Sequence, residues 1–164
     1  MNSNKQSYST YFMLLVFVAI PLIVGFTAGL STIPAIKGWY QTINKPPFNP
    51  PNWIFGPVWT FLYVLMGVGS WMIWLKRKTM GKEVKVALGI YFVSLVLNFF
   101  WSILFFKFEN PTLAIVDIVL LWACIVLLIT KWNKIKQTAA WLQIPYLLWV
   151  SFATALNAAI LYLN

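Results

Sequence analysis

Five apolar runs, each long enough to cross a bilayer, constrain this chain more than any other feature. They are Tyr11–Ile36, Trp53–Leu75, Val84–Phe106, Thr112–Trp132 and Ala139–Leu163. Each reaches or exceeds the roughly 20 residues that a helix needs to span a hydrocarbon core. None alternates polar and apolar positions as the strands of a membrane barrel do. Lipid cannot hydrogen-bond an open backbone, so runs of this kind must close their bonds internally, as helices. The expected fold is all-α: one polytopic domain over residues 1–164, a bundle of five transmembrane helices. The first run follows a single lysine, exceeds the usual length of a signal-peptide core and lacks a small-x-small cleavage site, so it reads as a retained helix.

Composition agrees. Hydrophobic residues make up 61% of the 164 and charged residues 9%, against about a quarter charged in soluble domains. The net charge of +9 could suggest nucleic acid, but the cations lie in short clusters between the apolar runs, where topology explains them and no nucleic-acid partner is expected. With the N-terminus inside, the inner segments hold Lys5, then Lys76, Arg77, Lys78, Lys82 and Lys85, then Lys131, Lys134 and Lys136; the outer segments hold Lys37, Lys45 and Lys107. That bias places the C-terminus outside. A bacterial cytoplasmic membrane is the expectation, with an outer membrane as the alternative. Histidine is absent and Cys124 is the single cysteine. The usual general base, zinc ligand and haem ligand are therefore missing, as is any disulfide within the chain. No metal site and no required cofactor are expected.

Local signals refine the bundle. Asn110-Pro111 suits a helix N-cap followed by proline at the first helical position. Pro57 sits near the start of the second helix, where a missing N–H is harmless, whereas Pro21 and Pro145 fall inside helices and should bend them. The longest connection, outside and between the first two helices, runs from Ile33 to Asn52. It holds Trp39-Tyr40 and then four prolines, Pro46, Pro47, Pro50 and Pro51. Proline fixes φ, so this stretch reads as a stiff lid or, more plainly, as a solvated linker. Five helices do not divide into matched halves, which argues against an inverted-repeat transporter.

Nine of the ten tryptophans, all but Trp39 of the loop, divide into two groups. Trp53, Trp71, Trp74, Trp132 and Trp141 lie near helix ends and match an interfacial belt. Trp59, Trp101, Trp122 and Trp149 do not: Trp59 lies ~9 Å and Trp101 ~7 Å below the outer ends of their helices, at the rise of an α-helix. Polar residues fall at matching depths. Asn98 and Ser102 are four apart beside Trp101, Trp59 and Tyr63 are four apart, and Trp149, Ala153 and Asn157 form one stripe on the fifth helix. Asparagine is costly against lipid, so Asn98 and Asn157 should point inward. These residues describe either an aromatic cavity in the outer half of the bundle, suited to a large flat apolar ligand, or helix-packing core with asparagine as interhelical glue. Asp117, the one acid inside a membrane run, reads as a structural hydrogen bonder or as a functional carboxylate. The Gly25/Gly29 pair allows close helix approach, within the bundle or between protomers.

The same residues resemble the TspO/translocator protein family, the tryptophan-rich sensory proteins once called peripheral-type benzodiazepine receptors, in a bacterial-type member. Four segments carry the likeness: Trp39-Tyr40 with Lys45-Pro46 and Pro50-Pro51; Trp53 with Phe55-Gly56-Pro57-Val58-Trp59 and Leu62-Tyr63; Leu97-Asn98 with Trp101 and Phe105-Phe106; and Pro145-Tyr146-Leu147 with Trp149, Phe152-Ala153-Thr154 and Leu156-Asn157. The resemblance implies a five-helix bundle, commonly a homodimer, that binds porphyrins such as protoporphyrin IX as ligands in a pocket near the first loop. The pocket positions it implies are Tyr40, Trp53, Trp59, Tyr63, Asn98, Trp101, Trp149, Ala153 and Asn157, to which the depth argument adds Ser102. It also implies an enzyme-like alternative, photo-oxidative degradation of bound porphyrin, with Trp59 and Trp149 as the candidate catalytic residues. A third alternative is a structural or partner-regulating membrane protein without ligand turnover. The likeness departs at Tyr162: no Lys or Arg follows it, so specific cholesterol handling is not expected. A free-base porphyrin needs no axial ligand, which suits a chain without histidine, and its carboxylates could approach Lys37 or Lys45.

Overall fold

The computed structural model describes the backbone of residues 2–164 and the side chains of residues 10–164; the Lys5 side chain, counted above among the inner cations, lies outside them. The chain folds as helices α1 (Asn2–Lys37), α2 (Trp39–Thr42), α3 (Phe55–Trp74), α4 (Gly81–Ser102), α5 (Pro111–Asn133), α6 (Gln137–Trp141) and α7 (Ile144–Leu163). Among the described residues there is no strand. Five stretches are long and apolar enough to cross a membrane: Thr10–Lys37, Asn52–Lys78, Gly81–Lys107, Pro111–Asn133 and Gln137–Leu163. The two ends of the bundle differ. The lid end carries α2 and the proline-rich loop; the basic end carries Lys76–Lys78, Lys82, Lys85, Lys131, Lys134 and Lys136.

The expected helix boundaries need three adjustments. The first helix begins at Asn2, well before Tyr11, because nothing between them stops an α-helix. The second crossing is extended by 3₁₀ turns at both ends, Asn52–Ile54 and Leu75–Lys78. The fifth crossing is not one helix bent at Pro145. It is α6 and α7 separated by Leu142 and Gln143, with Pro145 in the first turn of α7. The cause is steric: a proline ring clashes with the carbonyl four residues back, and four residues before Pro145 is Trp141, where α6 ends. Pro21, by contrast, stands inside an uninterrupted α1, as does Pro34.

Between α4 and α5 the chain makes a π-helical turn, Ile103–Lys107, closed by Phe108 N–H to the Ile103 carbonyl at 2.9 Å. Glu109 then takes a left-handed conformation at φ 51°. Asn110 caps α5, its Oδ1 accepting from the Leu113 N–H at 3.0 Å, with proline following as expected. Such a cap contributes about 1 kcal/mol. The wide turn rotates less per residue than an α-helix, so Phe105 and Phe106 both face inward, 4.8 Å apart.

Toward the basic end the bundle is packed solid around Ile73, Ile125, Leu128, Trp132 and Ala139. Trp132 is fully buried and its Nε1 donates to the Ala87 carbonyl at 3.2 Å; it belongs to the core and not to an interfacial belt. Its position near a helix end set its depth, but its side of the helix faces the neighbouring helices. Gly67 lets α3 meet α1 backbone to backbone: a Cβ there would lie 2.5 Å from Val18 Cα and 2.7 Å from the Phe17 oxygen. Trp71 and Trp74, near the end of the second crossing, are both half-buried. Trp71 Nε1 donates to the Thr10 carbonyl at 3.2 Å, and the Arg77 guanidinium stacks 3.2 Å from the Trp74 ring centre.

Candidate functional site

Above the Gly67 contact, α1 and α3 separate. At Gly25 they are still close, for a Cβ there would collide with the Tyr63 ring, while at Gly29 a Cβ would meet open space. The two glycines therefore do different things: Gly25 admits an aromatic ring and Gly29 borders a hollow. That hollow is a cavity of about 640 Å³, inside the ~300–1,000 Å³ range of small-molecule sites. Its α1 wall is Leu22, Gly25, Phe26, Ala28, Gly29, Thr32, Ile33 and Ile36. The facing wall is Asn52, Trp53, Phe55, Gly56, Trp59, Thr60 and Tyr63, and Trp101, Ser102 and Phe106 form the back. Phe26, Ile33, Trp53, Gly56 and Thr60 border it and are also exposed on the outside of the bundle. The cavity thus opens sideways between α1 and α3, into the surface that lipid covers.

The aromatic groups are held in place from behind. Trp59 stacks on Tyr63 at 5.5 Å and 25°, and the Tyr63 hydroxyl donates to Asn98 Oδ1 at 2.7 Å. Trp101 stacks on Phe105 at 5.6 Å and its Nε1 donates to Asn157 Oδ1 at 3.2 Å. Asn157 in turn donates to the Pro111 carbonyl at 3.0 Å, tying α4, α5 and α7 together. Buried indole and phenol groups with satisfied polar tips cannot rotate freely, so the cavity wall is preorganised.

The expected site residues therefore separate into two layers. Trp53, Trp59, Tyr63, Trp101 and Ser102 border the cavity. Asn98 and Asn157 stand behind it, as hydrogen-bond partners of Tyr63 and Trp101. Trp149 packs edge-on against Trp59 at 6.4 Å and against Phe55 at 6.1 Å, and Ala153 is buried core; neither reaches the cavity. Tyr40 lies under the loop against Phe105 and Phe106. The whole α1 wall, with Asn52, Phe55, Gly56, Thr60 and Phe106, lies outside the expected site residues; the Gly25/Gly29 spacing is the one signal that points to α1. Asp117 is buried on α5, its Oδ2 has no hydrogen-bond partner, and it does not border the cavity. Trp122 is partly exposed and donates to Ser151 Oγ at 2.9 Å.

The proline-rich loop makes its contacts beside the cavity. Tyr40 donates to Asn49 Oδ1 at 2.6 Å, Phe48 packs on Phe152 at 6.3 Å, and Asn44 and Asn164 exchange hydrogen bonds: Asn44 N–H to Asn164 Oδ1 at 2.9 Å, Asn164 Nδ2 to the Asn44 carbonyl at 3.0 Å. The loop is thereby tied to the far end of α7, and from it only Asn52 reaches the cavity. Burial pushes the Tyr40 phenol up to about 12, against a smaller opposing effect of the Asn49 hydrogen bond. Lys45 Nζ sits 5.1 Å from the Tyr40 ring centre and donates to the Ile43 carbonyl at 3.1 Å, whereas Lys37 is exposed at the end of α1.

Residues 17–163 match the profile of the TspO/MBR family. The tryptophan-rich protein TspO of Chlorobaculum tepidum is 39% identical over 98% of this chain and 99% of its own length. The translocator protein of Bos taurus is 38% identical over 86% of the chain and 83% of its own. A tryptophan-rich sensory protein of Cereibacter sphaeroides is 31% identical over 77% of each.

Proposed function

The chain belongs to the TspO/MBR family of integral membrane proteins, and from that premise we propose that it is a receptor, sensor or carrier that takes a porphyrin-like tetrapyrrole into the cavity between α1 and α3. One observation carries the reading: a preorganised hollow with Trp53, Trp59 and Trp101 on its walls and few polar groups. A flat macrocycle gains by burial and by stacking on indole faces, and a free-base porphyrin asks for no metal ligand. Carboxylates on its edge would meet Lys37 rather than Lys45, whose ammonium is occupied by loop carbonyls. Entry would be lateral, from lipid, since that is where the cavity opens. The basic end faces the inside, in keeping with the excess of Lys and Arg there, so the cavity lies in the outer half of the membrane. In this reading the protein works as a homodimer in a bacterial cytoplasmic membrane.

The test is a titration of protoporphyrin IX into the detergent-solubilised protein, followed by tryptophan emission. Saturable quenching is expected, weakened in Trp59→Phe; quenching that never saturates would reject the proposal. The edge-on contact between Trp59 and Trp149 favours a second reading. An indole at the cavity wall backed by another could pass an electron to a photoexcited ligand that hands it on to dissolved dioxygen; the activated oxygen would then attack the macrocycle and an external reductant would restore the indole, making the protein a light-dependent porphyrin-degrading catalyst. In that case bound porphyrin loses absorbance under illumination faster in wild type than in Trp149→Phe, and equal loss leaves binding alone.

A further inference from the structure

Three cations stand in a row where the second crossing ends, in the 3₁₀ turn Leu75–Lys78. They belong to the basic end, whose eight cations, Lys76, Arg77, Lys78, Lys82, Lys85, Lys131, Lys134 and Lys136, are all exposed and have one acid, Glu83, among them. Among the described residues the seven lysines make no side-chain hydrogen bond, ion pair or ring contact. Arg77 differs. Its guanidinium lies 3.2 Å from the centre of the Trp74 ring, and its Nη1 donates to the Trp74 carbonyl at 3.2 Å. The indole is itself held, because it packs on Phe17 of α1 at 5.7 Å. Stacking covers a face of the guanidinium, and the Nη1 bond uses one of its five N–H donors. The other donors lie along the edge of the fork, with no acid paired to them.

We propose that Arg77, laid on Trp74, binds the phosphate of an anionic phospholipid in the leaflet that the basic end meets, with Lys76 and Lys78 beside it in the same turn. A planar guanidinium fork matches two phosphate oxygens at once. The depth is right: the apolar crossing Asn52–Lys78 ends at this turn, which puts the fork at the level of the headgroups, where tryptophan and basic side chains collect. The charge selects the lipid. A phosphocholine headgroup brings its own cation, which the neighbouring lysines repel, whereas a phosphatidylglycerol headgroup brings only the anion. Topology accounts for the number of cations at this end but not for the posture of Arg77. Fixing a long exposed side chain costs rotamer entropy, and a fork already fixed by its indole meets the phosphate without that cost.

The experiment reconstitutes the full chain in liposomes of equal phosphatidylglycerol and phosphatidylcholine, extracts it in mild detergent and counts the co-purifying lipid by mass spectrometry. Wild type should retain phosphatidylglycerol over phosphatidylcholine on the order of tenfold, and Arg77→Gln should cut that ratio about fivefold, the worth of one basic side chain at a charged surface. Lys134→Gln removes the same charge from the same end and should leave the ratio nearly unchanged. Both positions are exposed, so neither substitution disturbs the core. Equal retention of the two lipids by wild type would overturn the proposal and leave the basic end to an acidic protein or to topology alone. Equal losses in the two variants would overturn it as well, because a diffuse field and not a site at Arg77 would then select the lipid. A wash with inorganic phosphate should leave the lipid bound, held by its tails; complete displacement would mean that the fork takes a free anion, against the lipid assignment.

Discussion

The two halves of the bundle use the same residue types to opposite ends. Toward the basic end, tryptophan and glycine make the protein solid: Trp132 is sealed among α4, α5 and α6, and Gly67 brings two backbones into contact. Toward the lid end they make it hollow: Trp53 is 73% exposed at the cavity rim, and Gly29 faces empty space. Lipid tails are as apolar as leucine, so a membrane helix gains little from hiding an apolar side chain and much from tight packing. The solid half therefore supplies the stability that lets the other half stay open, and one pair of helices, α1 and α3, takes part in both.

Substitution in matched pairs should expose the contrast, most strongly at tryptophan. Trp132→Ala removes a packed indole and its hydrogen bond and should cost ~3–5 kcal/mol. Trp53→Ala, at the exposed rim, should stay within about 0.5 kcal/mol. Reversible unfolding in mixed micelles measures both, and equal losses would erase the distinction between the halves. Glycine gives the next largest effect. Gly67→Val drives side-chain atoms into the α1 backbone, which cannot yield as a flexible side chain could, and should cost ~1–3 kcal/mol or more. Gly29→Ala meets nothing and should gain up to ~1 kcal/mol from helix propensity.

The apolar runs, the Asn110 cap and the asparagines that turn inward were all legible in the sequence, because run length, capping chemistry and the cost of an amide in lipid are local properties. Level along the bundle axis was legible too, which is why Trp59, Trp101, Asn98 and Asn157 fall at related levels. What depth does not give is rotation about the helix axis. Trp132 and Trp53 both lie near helix ends, yet one turns inward and the other outward. Trp149 has a suitable depth but stands behind Trp59, in a second layer. The α1 wall escaped for a different reason: it is built of Leu, Phe, Ile, Ala and Gly, which look alike whether they face a hole, a helix or lipid. The π turn that swings both Phe105 and Phe106 inward has no residue signature comparable to a proline or a cap.

The smallest effect concerns the loop that ties the lid end together. The folded state holds the Tyr40 proton more tightly than the unfolded chain, whose phenol titrates near 10.0. The stabilisation is therefore complete below that value and is lost as the pH rises through about 12. Thermal midpoints should fall across this window in wild type and fall less in Tyr40→Phe, the difference isolating Tyr40 from the rest of the pH response. Matching slopes would mean that the Tyr40–Asn49 contact does not hold the loop.

The account turns on the lid half being an open space that a ligand fills. Gly29→Phe tests this most directly, because it projects a ring from α1 into that space without touching the solid half. With protoporphyrin IX titrated into both proteins, wild type should show saturable quenching of tryptophan emission, and Gly29→Phe should show none while keeping its thermal midpoint. Undiminished, saturable quenching in the folded variant would contradict the account, because the ligand would then sit somewhere other than between α1 and α3.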